Sequence, residues 1–415
     1  MQSKLNKNKP VFLFISKDNL TTTPRIKKEI LAAKKQNFDV TFIGFELNNW
    51  SDKAEEKFRN ENPEINYIYL PASRKSKSLL WLLSVIVEKI SRLLWPLFPK
   101  SLSLAAFAHS RRSFALWLHL LFHGKKYNFV SAHTLPAIYP AYKLAKRKGI
   151  KWSFDLEDYH PGETIGTDTK NERQRRELLL AKLLPQTDFF TYASPLFLEQ
   201  ITKLTGATKL PENFYIANSF PGDFFSLEIN ASDKISFVWF SQNIAPGRGL
   251  ELLLPALWQH REKIHLTLIG NLYNDFYKEF LARYKEILTI KKPMEEKELY
   301  AEICKHDIGC AIELNKTDFN RSIALTNKIY AYAQAGLFIL ATDTQGQKWF
   351  IEKYPYFGIL AQQSTEGLDN KISFILRKAG LIRSTKNLRF AKAKELSWEN
   401  EEIKLVDKWQ ELISG

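Results

Sequence analysis

The sequence predicts an α/β protein made of two doubly wound domains, each a parallel sheet covered by helices. Three observations carry that prediction. Short apolar runs bounded by polar turns alternate with stretches of helical period, the pattern of β-α-β units rather than of hairpins. The alternation stops in a polar stretch, residues 221–234, and starts afresh at 235. At 415 residues, 45% hydrophobic and 13% aromatic, the chain is too long for one ordinary core and too apolar to be disordered.

In order, VFLFI at 11–15 reads as a buried strand, 25–36 as an amphipathic helix and VTFIG at 40–44 as the next strand. Further strands are expected at 129–130, 152–155, 188–191 and 213–217, with helices at 136–148 and 195–204. The second series places strands at 235–240, 264–270, 308–312 and 338–341, with helices at 248–260 and 326–335. Residues 388–413 read as terminal helices because no strand follows. The domains are therefore expected at 1–220 and 234–390, with 391–415 packing back toward the first.

Residues 76–124 break the rhythm as an insertion of two helices rich in Leu and Trp. Lys and Arg number 60 against 45 Asp and Glu, a net charge of +15, and between residues 74 and 126 Glu88 is the single acid. A basic frame around apolar, Trp-bearing helices suits a pair lying on an anionic membrane leaflet; a buried insertion with its Lys and Arg in water suits the pattern equally. Charges interrupt every apolar stretch before the ~20 residues a span needs. Residues 1–10 are polar and the run after them is too short for a secretory signal. Cys304 and Cys310 are the only cysteines, which excludes a disulfide framework or a Cys-based zinc site and fits a reducing cytosol, with peripheral attachment to the inner face of the cell membrane. Walker, G-x-S-x-G and H-E-x-x-H motifs are absent, so P-loop, esterase and zincin chemistry have no foothold. No nucleic-acid partner is expected, because the basic excess sits among Leu and Trp rather than on a groove-reading helix.

Open parallel sheets bind ligands at their carboxyl edges, so two of them face to face are expected to hold ligands in a central cleft. Four stretches populate those edges. The first is PRIKKEILAAKKQNFDVTFI at 24–43 with the loop before it; Thr22, Thr23 and Arg25 stand at a helix start able to face an anion, while Thr23 before Pro24 also suits an ordinary N-cap. The second is VSAH at 130–133 and WSFDLEDYHP at 152–161, carrying His133, Asp155, Glu157, Asp158 and His160. Three crowded carboxylates after a strand repel one another unless donors offset them, which favours a ligand-facing role over a solvated loop. The third is FVWFSQNIAPGRGLELLL at 237–254, with Arg248-Gly249 opening a helix. The fourth runs from IGCAIE at 308–313 through TNKIYAYAQAG at 326–336 to FILATD at 338–343, with Glu313, Asn320, Asn327 and Lys328.

These stretches, spanning nearly the whole chain, resemble glycosyltransferase family 4, enzymes of the GT-B fold in which two Rossmann-like domains face a central cleft. The resemblance implies transfer of a sugar from a nucleotide-diphosphate donor to a carbohydrate or lipid-linked glycan acceptor, as in polysaccharide biosynthesis, with retention of configuration, no catalytic metal and no cofactor. It implies donor contacts from Arg248, Gly249, Glu313, Asn320, Asn327 and Lys328, acceptor contacts from Thr22, Thr23, Arg25, Asp155 and His160, and catalytic positions at His133, Glu157 and Asp158. The chain departs from the family pattern in three places: the glycine-rich loop reads KDNLTTT, the upstream arginine of the third motif is missing, with Gln242 or Asn243 near its place, and the second acid of the fourth reads Ala331. A sugar-nucleotide epimerase of related fold and a non-catalytic partner subunit that binds nucleotide sugar or membrane are the alternatives.

Overall fold

The computed structural model describes residues 9–76, 78–164, 169–315 and 318–414. The chain divides into two compact units, Met1–Ile216 with Glu402–Gly415, and Ala217–Glu401. In the first, β1 (Val11–Ser16), β2 (Asp39–Glu46), β3 (Asn66–Pro71), β4 (Phe129–His133), β5 (Lys151–Leu156), β6 (Phe189–Tyr192) and β7 (Glu212–Tyr215) form one parallel sheet in the order β3-β2-β1-β4-β5-β6-β7. In the second, β8 (Ile235–Ile244), β9 (Ile264–Leu272), β10 (Leu288–Lys291), β11 (Ile308–Ala311), β12 (Phe338–Thr342) and β13 (Gly358–Ala361) form another, in the order β10-β9-β8-β11-β12-β13. Strand order therefore reverses between β1 and β4 and between β8 and β11. Such switch points open the crevices in which doubly wound sheets bind ligands.

The central strands are continuous apolar runs because both faces of each sheet are covered. Phe12 and Phe14 of β1 are fully buried and meet Trp409 edge-on at 5.7 and 6.2 Å. The end of the Trp398–Ser414 helix thus completes the first unit's core. In the second, Trp239, Leu266, Leu268, Ile308 and Leu340 pack with Leu253, Leu254 and Leu257 of the Leu250–Trp258 helix.

Three differences from the sequence expectation have local causes. The polar stretch 221–234, expected as a linker, is packed into the second unit. Phe224 stacks on Tyr300 at 6.0 Å, Phe225 packs tilted against it at 5.1 Å, and Asn230 Nδ2 donates to Ser236 Oγ at 2.6 Å. The insertion holds three helices rather than two, Leu79–Leu94, Leu102–His109 and Arg111–Phe122. Serines make the breaks: Ser101 Oγ accepts from the Leu104 amide and Ser110 Oγ from that of Arg112. Strands β3, β10 and β13 escape periodicity because they are short and only partly buried edge or near-edge strands.

Candidate active site

Each sheet gathers a cluster at its switch point, and the two clusters are built differently. In the first unit Ser16, His133, Asp155 and Thr191 are in-register neighbours across β1, β4, β5 and β6. Parallel neighbours in register point to one face. The Pro24–Lys35 helix lays Arg25 and Glu29, one turn apart, on that row. Arg25 grips Asp155 with two 2.7 Å bonds, Nε to Oδ2 and Nη2 to Oδ1, and Nη1 donates to the Ile216 carbonyl at 2.9 Å. Thr191 Oγ1 donates to Asp155 Oδ1 at 2.6 Å. His133 sits between acids, Nε2 3.0 Å from Glu29 Oε2 and Nδ1 3.4 Å from Asp155 Oδ2.

All four ionic members are buried, so their charges must cancel locally. Burial alone would drive His133 toward neutrality, but the charge of Glu29 and the bonds to Asp155 and Glu29 outweigh it and raise its pKa to about 10. Asp155 is likewise penalised by burial, yet Arg25 and His133 hold its carboxyl far below the usual range. Burial disfavours the Arg25 charge too, and Asp155, Glu157 and Glu29 overcome this to raise its pKa. Two cations thus face two anions. Glu29, His133 and Asp155 bring three ligand atoms within 4.8 Å of one another, and Arg25 already takes both Asp155 oxygens.

This network holds three of the expected site residues: His133 lies buried between Glu29 and Asp155, and Arg25 and Asp155 pair with each other. Glu29 and Thr191, which complete the network, were not anticipated, although the four-residue step from Arg25 to Glu29 was the available signal.

Thr22 and Thr23 are also occupied: Thr22 Oγ1 donates to Asn19 Oδ1 at 2.9 Å, and buried Thr23 donates to the Asn19 carbonyl at 2.6 Å. Glu55 anchors their loop, accepting from the Leu20 and Thr21 amides at 3.2 and 2.9 Å. Beside it an open cavity of about 260 Å³ is lined by Asn19, Phe45, Asp52, Glu55 and Tyr69.

Glu157 behaves differently from its neighbours. It is half-buried just past β5 and forms no hydrogen bond or ion pair with the described residues. Burial, then the charges of Asp158 and Asp155, push its pKa up to about 7, against the smaller opposing pull of Arg25 and His133. Burial is the larger cause, and the two neighbouring carboxylates add to it. Asp158 is half-buried alongside. His160 Nδ1 lies 3.1 Å from Glu163 Oε2, and its carbonyl accepts from Arg176 at 2.6 Å.

In the second unit the loop after β8 ends at Gly249, the cap of the Leu250–Trp258 helix, with φ +82°. A Cβ there would lie 2.4 Å from Ile312 Cγ2, so glycine is needed both for the left-handed backbone and for the close approach to the end of β11. That approach packs the turn carrying Arg248 against Ile312, the residue before Glu313. Arg248 is half-buried and forms no ion pair or side-chain hydrogen bond with the described residues. Glu313 pairs with Lys328 at 2.8 Å, and Lys328 Nζ stands 5.8 Å over the buried Trp239 ring. Thr342 ties this edge together, donating to the Glu313 carbonyl at 2.6 Å, accepting the Glu313 amide at 2.8 Å and meeting Gln347 Oε1 at 3.0 Å. Lys328 and Glu313, both expected as donor contacts, therefore hold each other.

Asn327 is exposed at the start of the Asn327–Gln334 helix, Asn320 is buried, and Ala331 is wholly buried, so the fourth motif offers no second surface acid. Trp239, Thr342 and Gln347 were not anticipated; nothing in their spacing marks them. On the other side of β8, an open cavity of about 730 Å³ lies at the ends of β9 and β10, lined by Asn271, Asn274, Tyr277, Lys285, Lys291 and Lys292. Its volume is in the ~300–1,000 Å³ range of small-molecule sites.

Comparison with known proteins fits this architecture. The sucrose-phosphate synthase of Thermosynechococcus elongatus superposes with a TM-score of 0.68 over 98% of this chain and 100% of its own, at 12% identity. HepE from Anabaena, bound to UDP and glucose, gives 0.66 over 97% and 100% at 13% identity. The fold is GT-B. A protein from Listeria monocytogenes assigned as a UDP-N-acetylglucosamine 2-epimerase gives 0.56 over 96% and 95% at 12% identity. No protein-family model and no curated protein matches the chain.

Proposed function

We propose that the chain is a glycosyltransferase that moves a sugar from a nucleotide-diphosphate donor to a carbohydrate or lipid-linked glycan acceptor, with retention of configuration and without a catalytic metal. The observation that carries this reading is Arg248: a guanidinium without a protein partner among the described residues, at a helix start on the switch point of the second sheet. As the bond from the anomeric carbon to the phosphate oxygen breaks, its electron pair leaves with the diphosphate, and a fixed guanidinium with helix N–H groups stabilises that charge. The base would lie in the β9–β10 cavity and the sugar by Glu313, with Lys328 kept near the phosphates by its pairing. In the first unit Glu157, titrating near neutrality, suits contact with an acceptor hydroxyl, and Asp158 and His160 would help to orient it. Solved structures of similar fold, such as HepE, hold UDP or UDP-glucose, which supports a uridine donor. Metal independence is supported by the buried cations that already neutralise Glu29 and Asp155.

The test is a panel of nucleotide-diphosphate sugars incubated with the full chain, with and without lipid-linked acceptors, following nucleoside diphosphate and glycan product. Acceptor-dependent release of nucleoside diphosphate is expected. A changed donor sugar without acceptor would favour the epimerase reading, which the Listeria neighbour motivates. Binding without turnover would favour a partner subunit, which buried Ala331 motivates, and failure to bind any donor would remove the assignment of Arg248.

A further inference from the structure

The Leu79–Leu94 helix is turned inside out. Its body-facing side carries Ser84, Ser91 and, just past its end, Trp95, all buried. The opposite side carries Leu79, Leu82, Ile86, Ile90 and Leu93, continued by Leu97 in the following turn, each between 44% and 76% exposed. At ~100° per residue these six lie within about 80° of arc, a single apolar stripe. Large apolar side chains scattered singly over a surface need no explanation, but a continuous stripe marks a contact surface.

Charge identifies the contact. Arg74 and Lys75 before the helix, Lys89 on its flank and Lys100 beyond it are all exposed. The single acid of the stretch, Glu88, is neutralised by Arg92 at 2.8 Å. The stripe is thus framed at both ends by positive charge, and Arg74, Lys75, Lys89 and Lys100 form no ion pair among the described residues. Its spacing also bears on the partner. The steps of 3, 4, 4, 3 and 4 follow a straight helix, whereas the seam of a two-stranded coiled coil would keep strict 3,4 alternation.

We propose that this face is a docking surface for a membrane leaflet rich in anionic phospholipid, with the stripe immersed at the headgroup boundary and the Lys and Arg stems reaching back to phosphates. Among the described residues no helix is long and apolar enough to cross a membrane, so the contact lies along the surface. The inference is independent of the donor site, and its test does not use turnover.

The full chain is sedimented with vesicles of phosphatidylcholine alone or of phosphatidylcholine with a third phosphatidylglycerol, at low and high salt. Binding is expected to the anionic vesicles and to weaken with salt. The triple variant Ile86→Gln/Ile90→Gln/Leu93→Gln should bind at least about tenfold more weakly while unfolding at nearly the same temperature, because its three positions are 44–76% exposed. Lys89→Glu/Lys100→Glu should weaken binding to anionic vesicles alone. Equal binding by the triple variant, or none by the parent chain, overturns the proposal. So does a parent chain that is dimeric without lipid and becomes monomeric in the triple variant, since the stripe would then be covered by a second copy.

Discussion

Replacing Glu157 by Gln tests whether the buried ion network of the first unit is balanced without it. In the folded chain this carboxyl gives up its proton near 7 rather than near its ordinary 4.5. Between those values the folded chain keeps a proton that the unfolded chain has released, so stability falls as pH rises through this window and the loss is complete above about 7. At ~1.36 kcal/mol per pH unit the full cost is ~3 kcal/mol, which partial contact with water trims to ~2 kcal/mol. Glu157→Gln has no charge to accommodate. Parent and variant should be equally stable at about pH 4.5, and the variant more stable by ~2 kcal/mol at about pH 8. His133, whose raised pKa contributes stability that is complete below 6.5 and fades as pH climbs toward 10, acts in both proteins and largely cancels. The measurement is urea unfolding at a series of pH values, with hydrogen exchange of β5 amides reporting on the first unit. A stability difference that does not change with pH would refute the reasoning, because Glu157 would then titrate alike in both states.

Three further outcomes are expected. Arg248→Ala should weaken UDP binding, measured by calorimetry, by ~10- to 100-fold, the value of one or two charge-assisted hydrogen bonds, with an unchanged melting temperature and partial recovery in Arg248→Lys; undiminished affinity would place the diphosphate elsewhere. Asp155→Ala should cost ~3–5 kcal/mol by leaving the buried Arg25 guanidinium without its carboxylate, and the double variant Arg25→Met/Asp155→Leu should be closer to the parent than Asp155→Ala in thermal unfolding. Gly249→Ala should destabilise the second unit by ~1–3 kcal/mol, through positive φ and the Ile312 clash, and Ile312→Ala in the same background should relieve the clash but not the backbone strain.

Strand and helix alternation was legible along the chain because buried parallel strands are written as short apolar runs and covering helices by their 3.6-residue period. VFLFI, VSAH and the run from Ile235 are strands within a few residues of their expected ends. The placement of Arg248-Gly249 at a helix start was equally readable, since a glycine there answers to local backbone geometry. Partners were not. Arg25 and Asp155 lie 130 residues apart, and only the order of β1, β4, β5 and β6 brings them together, so two apparently available polar groups cancel each other. Lys328 and Glu313 are a second case, where a cation and an acid both expected to face the donor hold one another. The stripe on the Leu79–Leu94 helix shows the same limit from the apolar side: periodicity says that Leu79, Ile86 and Leu93 share a face, while packing alone reveals that this face points away from the protein. Local pattern is encoded in neighbouring residues; charge balance and exposure are sums over everything the fold brings near.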